Sequence, residues 1–435
     1  MNTLEGGVLQ RTKSGREAKA LALVVSGGVF SGVYMDAAAQ EIFDAAPPNV
    51  AGSRALPGYQ PLGLRLGGVE VFPALEVGIE HDSNVYARSG NRNEVASDSA
   101  AIIEPRLRAR KQWGSLRAEV SGRSLLKQYF EETSENRSDY SVNATLAGPI
   151  KDNTGFALNT SFNSRDAFRG TAENDLGDGA PIGIKTYSAS LLFAHAFGRA
   201  KVAPQLFVTS TDYTSRDGAV ADQDFRDRTF LGGRLRASYD VSESAAFFAT
   251  GTLAQYQYKD DRDCCDRDSD YTALRGGFSY NVTELITSSV SVGYRNNDFK
   301  SDNFSDFGGL SVRAEIDWYP TTLISVSLQA DQNITTSNFE QISAVSQTRA
   351  AVSVNYELLR NLNLRTSFSM THDNFENIDG SVNRYLGDFS ATYKVNRNIG
   401  VEVKAAYSGR SANADFPLFN DSDSTRLTAK LVFAI

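Results

Sequence analysis

From Val69 to the end of the chain, polar and apolar side chains alternate in short runs with a period of two, the spacing of β-strands rather than of helices. The pattern is plainest between Asn383 and Arg410. Tyr385, Gly387, Phe389, Ala391 and Tyr393 fall on one face, and Arg384, Leu386, Asp388, Ser390, Thr392 and Lys394 on the other. After a turn at Asn396-Arg397-Asn398, Ile399, Val401, Val403, Ala405 and Tyr407 alternate against Gly400, Glu402, Lys404, Ala406 and Ser408. Each strand therefore has an apolar face with aromatics near its ends and a face that carries charge. A soluble sandwich has no use for aromatics at both ends of a strand, whereas a bilayer rewards them where apolar rings meet hydrated headgroups.

Eighteen such strands are predicted, the first spanning 69–81 and the last 423–435. Their connections alternate in length, with short ones such as Gly198-Arg199, Pro320-Thr321 and Leu359-Arg360 and long polar ones such as Asp82 to Asp98, Asp166 to Ile184 and Ser411 to Ser422. The reading is all-β: a transmembrane antiparallel up-and-down β-barrel of about 18 strands, with short periplasmic turns and long extracellular loops. Open sheet edges cannot face lipid, so the first and last strands must pair. The last residue is Ile435, with an aromatic two positions earlier at Phe433.

The aromatics extend the pattern into a ruler. Trp113, Phe197, Tyr239, Tyr280, Trp318, Tyr356 and Tyr393 stand before short turns, and Tyr140, Tyr187, Phe230, Tyr271 and Tyr385 stand after long loops. Read as girdles, separations such as Tyr271 to Tyr280 or Tyr385 to Tyr393 correspond to about 20 to 25 Å along the barrel axis, the height of the apolar band of an outer membrane.

Composition narrows the class. Of 435 residues 41% are hydrophobic and mean hydropathy is −0.32; beyond the first 40 residues no apolar run is long enough to cross a bilayer as a helix. A net charge of −8 with no basic stripe excludes nucleic acid as an expected partner. Arg11, Lys13, Arg16 and Lys19, followed by the apolar run from Ala20 to Met35 and by Ala37-Ala38-Ala39, have the form of a signal peptide. The expected division is a signal peptide over 1–39, a Pro/Ala/Gly-rich periplasmic linker over 40–68 and the barrel over 69–435.

The stretch Pro73-Ala74-Leu75-Glu76-Val77-Gly78-Ile79-Glu80-His81-Asp82-Ser83-Asn84-Val85-Tyr86, preceded by Leu64-Arg65-Leu66-Gly67, resembles the start of the barrel in the β-barrel porin 2 family. The resemblance implies a bacterial outer-membrane barrel in contact with lipid and lipopolysaccharide. Some members are encoded with exopolysaccharide synthesis and export systems, which implies a polysaccharide-related conduit and periplasmic export machinery as a partner.

Charge on a lipid-facing strand costs about 2 to 4 kcal/mol near the midplane, so the charged register is assigned to the lumen. It holds Arg106, Arg108, Arg110, Arg117, Arg123, Lys127, Arg234, Arg236, Arg275, Arg295, Arg313, Arg365, Arg384, Arg426 and Lys430. Among them lie Glu70, Glu76, Glu104, Glu119, Glu315, Asp317, Glu357, Asp388 and Glu402. Two readings stay open: a salt-bridged wall that stiffens the barrel, or a positively biased hydrated pore that attracts an anionic solute.

No cofactor or enzymatic activity is expected. The three histidines, His81, His195 and His372, lack a serine and an orienting acid at one site, and no zinc or haem ligand spacing occurs. The loop Asp260 to Asp268 offers carboxylates but lacks the glycine and closing glutamate of an EF-hand, so no metal is assigned to it. Cys264 and Cys265 would face an oxidising compartment, where a vicinal disulfide is one outcome. The functional expectation is an export or diffusion channel; the alternative is a closed barrel whose loops bind partners.

Overall fold

The computed structural model describes residues 51, 54, 56, 58–90, 95–169, 171, 181–215, 223–260, 266–283, 285–335, 342, 344–375, 379–413 and 421–435. The expected signal peptide over 1–39 lies outside them, as do Cys264 and Cys265.

The described chain forms nineteen strands in one antiparallel sheet. A short β1 (Leu64–Leu66) is followed by β2 (Val69–Asp82), β3 (Asp98–Trp113), β4 (Leu116–Tyr129), β5 (Arg137–Lys151), β6 (Thr154–Asp166), β7 (Ile182–Phe197), β8 (Ala200–Ser215), β9 (Arg228–Asp240) and β10 (Ala245–Tyr258). Then come β11 (Ser269–Thr283), β12 (Ile286–Phe299), β13 (Phe307–Thr321), β14 (Ile324–Thr335), β15 (Val345–Leu359), β16 (Leu362–Phe375), β17 (Ser381–Lys394), β18 (Ile399–Ala412) and β19 (Ser422–Ala434). Each strand from β2 to β19 pairs with its chain neighbours, and β19 closes on β2 in the register Leu431↔Val77 and Ala429↔Ile79. The barrel proper is thus the eighteen strands β2–β19, as the alternation predicts. The linker expected over 40–68 is not wholly irregular, because its last residues form β1, which returns into β2 across Gly67 and Gly68, both with positive φ (56° and 79°).

Alternation decides the two faces. Leu206, Leu253 and Leu274 are 65%, 68% and 64% exposed in mid-strand, an arrangement untenable in water but favourable against lipid. Their chain neighbours Gln205, Thr252 and Ala273 are buried against the inside of the barrel. Such a leucine gains about 1.5 to 3 kcal/mol on transfer to the hydrocarbon, so the outer face drives insertion.

The two ends differ. At one end the hairpins are tight: Trp113 pairs with Leu116 and Phe197 with Ala200 across Gly114 and Gly198, whose positive φ (59° and 62°) suits a two-residue turn matched to strand twist. Register shifts at Pro149/Lys151, Asn281/Thr283, Trp318/Thr321 and Glu357/Leu359 lie at this same end, where a bulge lets one strand bend into its turn. At the other end the long connections fold onto one another.

Candidate functional site: the barrel lumen and its two mouths

Period two directs every residue assigned above to the charged register toward the interior, because each shares parity with buried wall residues and alternates with exposed apolar ones. Their surroundings differ greatly around the wall.

The first strands and the last carry an ion-pair cluster flanked by separate pairs. Glu104, fully buried, receives Arg106 Nη2 at 2.5 Å, Arg123 Nε at 2.5 Å and Lys430 Nζ at 3.2 Å. Glu76 accepts from Arg106 Nη1 at 2.9 Å and from Lys430 Nζ at 3.2 Å. One level toward the loops, Glu80 binds Lys127 at 2.6 Å and Thr428 at 2.9 Å; toward the turns, Glu70 binds Arg110 at 2.6 Å. Arg108 and Arg110 both lie over the Phe72 ring at 4.9 Å, and Arg108 Nε has no hydrogen-bond partner among the described residues. Three cations around two carboxylates leave this part of the wall positive. The cluster also crosses the seam β19–β2, so its pairs help hold the closure shut.

The opposite wall holds a recess lined by Arg236, Phe248, Thr250, Arg275, Ser289, Ser291, Arg313 and Glu315. Arg313 Nη2 binds Glu315 at 2.9 Å, and the Arg236 guanidinium lies 3.8 Å from the Phe248 ring centre. Nearby, Arg234 and Arg295 are buried, and Arg295 Nη1 donates to the Gln332 carbonyl at 2.7 Å. Between the two walls, Asp388 pairs with Ser367 and faces Lys404 at 3.9 Å, Thr392 donates to Glu402 at 3.4 Å, and buried Asp373 binds Arg384 and Gln347. Arg117 and Arg365 stand half-buried near the turn end, on β4 and β16.

At the turn-end mouth the wall holds something the alternation did not foretell. The inward Glu357, 4% exposed, forms an ion pair with Arg54, and Ser325 Oγ donates to the Ala51 carbonyl at 3.2 Å. Both anchors lie on β14 and β15, whereas the chain enters the wall at β1 and β2, with β16 to β19 between. Residues of the linker are therefore held inside the mouth.

At the loop end, neighbouring connections interlock. Tyr86 donates to Glu132 at 2.6 Å; Arg169 forms a two-pronged pair with Glu135 (2.5 and 3.0 Å) and lies 5.2 Å over the Tyr86 ring. This knot joins the β2–β3, β4–β5 and β6–β7 connections. Phe168 packs beneath Arg137 and, at 5.9 Å, Arg426 of β19. Farther round, Arg267 is 1% exposed between Phe225 and Phe304, joining three more connections. Ile342 is buried with Val345, Phe375 and Val382. Burial of the Tyr86 hydroxyl raises its pKa.

Of the aromatics assigned to the girdles, Trp113, Tyr187, Phe197, Tyr239, Tyr280, Trp318 and Tyr393 are exposed on the outer face, and Tyr356 and Tyr385 share its parity. Tyr140 is also exposed, but Phe230, which shares the parity of buried Arg234, does not belong with them, and neither does Tyr271. Tyr271 pairs with buried Ala254, lies inside the barrel and packs edge-on against Phe230 and Tyr256 at 5.8 and 6.3 Å. It lies nine positions before Tyr280, and an odd separation on a strand puts two side chains on opposite faces.

The histidines meet neutral partners: His81 Nδ1 with Ser99 Oγ at 3.1 Å, His195 Nδ1 with Thr154 Oγ1 at 2.6 Å, and His372 Nδ1 with Asn383 Oδ1 at 2.9 Å. In the acidic loop, residues 261–265 are outside the described set; Asp268 caps Tyr258 N at 2.7 Å and faces Lys300 at 3.5 Å. Among the described residues no group of three potential metal ligands comes together.

A family model described as "Putative beta-barrel porin 2" matches residues 56–434. No curated protein matches the chain. Among solved structures, OccK1 (OpdK) of Pseudomonas aeruginosa is 11% identical, with 84% of this chain and 99% of that one covered and a TM-score of 0.45. OccAB3 of Acinetobacter baumannii is 12% identical, covering 85% and 100%, with a TM-score of 0.43. The FrpB iron transporter of Neisseria meningitidis (F3-3 variant) is 8% identical, covering 83% and 81%, with a TM-score of 0.44.

Proposed function

The chain belongs to the β-barrel porin 2 family of outer-membrane channels, and on that premise we propose that its lumen is a conduit for export or diffusion of a hydrophilic solute, a polysaccharide in particular. The observation that carries this reading is the segregation of the wall: ionisable side chains line the inside at successive levels, while the outside is apolar. An interior meant only to be filled is cheaper to build from packed apolar side chains than from ion pairs, whose desolvation offsets much of their attraction. A hydrated path uses the same charges to screen and orient what passes.

A second reading, a closed barrel that presents its loops to partners, is favoured by the interlocked loop end and by Arg54 and Ala51 inside the opposite mouth. Swelling of liposomes carrying the folded protein separates the two. The conduit admits small saccharides and swells the vesicles; vesicles with correctly folded protein that stay at the protein-free rate would leave only the closed barrel.

A further inference from the structure

The recess on the β9–β13 wall is built with more care than a generic charged lining requires. Thr250 lies directly across from both Arg236 and Arg275, which sets the two arginines on either side of one hydroxyl at a single level of the barrel. Arg313 lies across from Ser291, and Glu315 across from Ser289. Cross-strand partners stand about 5 Å apart, so three guanidiniums converge over a few strand widths. One carboxylate, Glu315, stands with them in the recess lining, and a second, Asp331, lies across from Arg313 on β14.

Each arginine has its own support. Phe248 lies against Gly277, where a Cβ would stand 2.6 Å from Phe248 Cε2, and the Arg236 guanidinium lies 3.8 Å from its ring centre. Arg275 lies across Gly293, where a Cβ would stand 2.8 Å from Arg275 Cγ. Arg313 is steadied by Glu315. The strands spend two glycines to let these side chains lie against the wall, so the guanidiniums stand ready rather than waving in the lumen.

The geometry points to an anion subsite that takes the carboxylate of an acidic sugar residue. Planar guanidinium forks match a carboxylate's two oxygens, and the Thr250, Ser289 and Ser291 hydroxyls beside them can exchange hydrogen bonds with the sugar's own hydroxyls. Three cations against two carboxylates, Glu315 in the recess and Asp331 across from Arg313, favour an anionic unit over a neutral one. This inference rests on the lumen being the solute path and deepens that reading by naming the class of solute.

The test is titration calorimetry on the folded, detergent-solubilised full chain, because binding in detergent is read independently of conduction. The probes are the trimer of galacturonic acid, maltotriose and inorganic phosphate. The trimer is expected to bind at least tenfold more tightly than maltotriose. The triple variant Arg236→Gln/Arg275→Gln/Arg313→Gln is expected to lose that binding while keeping the heat-modifiable gel mobility of a folded barrel. The single variant Arg275→Gln is expected to weaken it several-fold. Failure of the folded wild type to bind the trimer, unchanged affinity in the folded variants, or phosphate binding as tightly as the trimer would overturn the proposal. If trimer binding is present but vesicles do not swell, the subsite stands and the conduit fails; swelling without trimer binding gives the converse.

Discussion

Parity along a strand settles where a side chain lives in this protein, and its energetic consequence can be tested one residue at a time. Leu274 faces lipid and Arg275, the next residue, faces the lumen. Leu274→Arg is therefore expected to lower the stability of the refolded barrel in lipid vesicles by about 2 to 4 kcal/mol, read from urea unfolding; a loss below half a kcal/mol would place that face elsewhere. Inside, Glu104→Gln removes the carboxylate shared by Arg106, Arg123 and Lys430, so that Arg123 loses its ion-pair partner and Arg106 and Lys430 keep Glu76 alone. The expected cost is about 3 kcal/mol. Glu70→Gln, at a pair with both side chains a third or more exposed, is expected to cost under about 1 kcal/mol. Equal effects from the two would mean that the Glu104 site is as wet as the Glu70 one. The inside-outside assignment was legible in the sequence because it needs only counting by twos. Tyr271 shows the same rule neglected: its odd separation from Tyr280 already forbade a shared face, and the correct reading needed no structure. What no sequence pattern announced is that Phe248 lies against Gly277 and beneath Arg236, since that contact depends on the register of β9, β10 and β11.

Among elements, the barrel strands were legible because each is long enough to show its alternation several times and is bounded by turn residues; the structural bounds lie within a few residues of those expected. β1 escaped because three residues do not make a period, although Gly67-Gly68 marks its hairpin. The loop and linker contacts escaped for a different reason. Tyr86 and Glu132 are 46 residues apart and Arg54 and Glu357 are 303 apart; the pairing of β2 to β4 brings the first two together and the closed barrel the second. The Arg54 latch is expected to protect the linker. Glu357→Gln should leave the barrel folded but speed tryptic cleavage after Arg54 at least severalfold, followed by mass spectrometry; cleavage at the wild-type rate would show that the ion pair does not hold the segment. At the other end, Glu135→Gln removes the two-pronged partner of Arg169 and is expected to hasten proteolysis within the β6–β7 connection without altering barrel unfolding.

At the scale of the whole molecule, closure turns eighteen marginal strands into one object whose inner surface is a single electrostatic environment. The net charge of −8 belongs to the chain and not to the lumen: the Glu76–Glu104 network and the β9–β13 recess each hold three cations against fewer carboxylates. Fold and wall polarity followed from the sequence because the bilayer and barrel closure leave few alternatives. The state of the two mouths did not, because it depends on contacts between segments that carry no periodic signal. The function proposed for the lumen needs a water-filled, positively biased path between those mouths. Planar-bilayer recording of the folded full chain across a potassium chloride gradient tests it most directly. A steady conductance is expected, with a reversal potential on the anion-selective side that moves toward the cation side in Arg108→Glu/Arg110→Glu. Inserted, folded protein that passes no current, or a reversal potential that the double variant leaves in place, would contradict it.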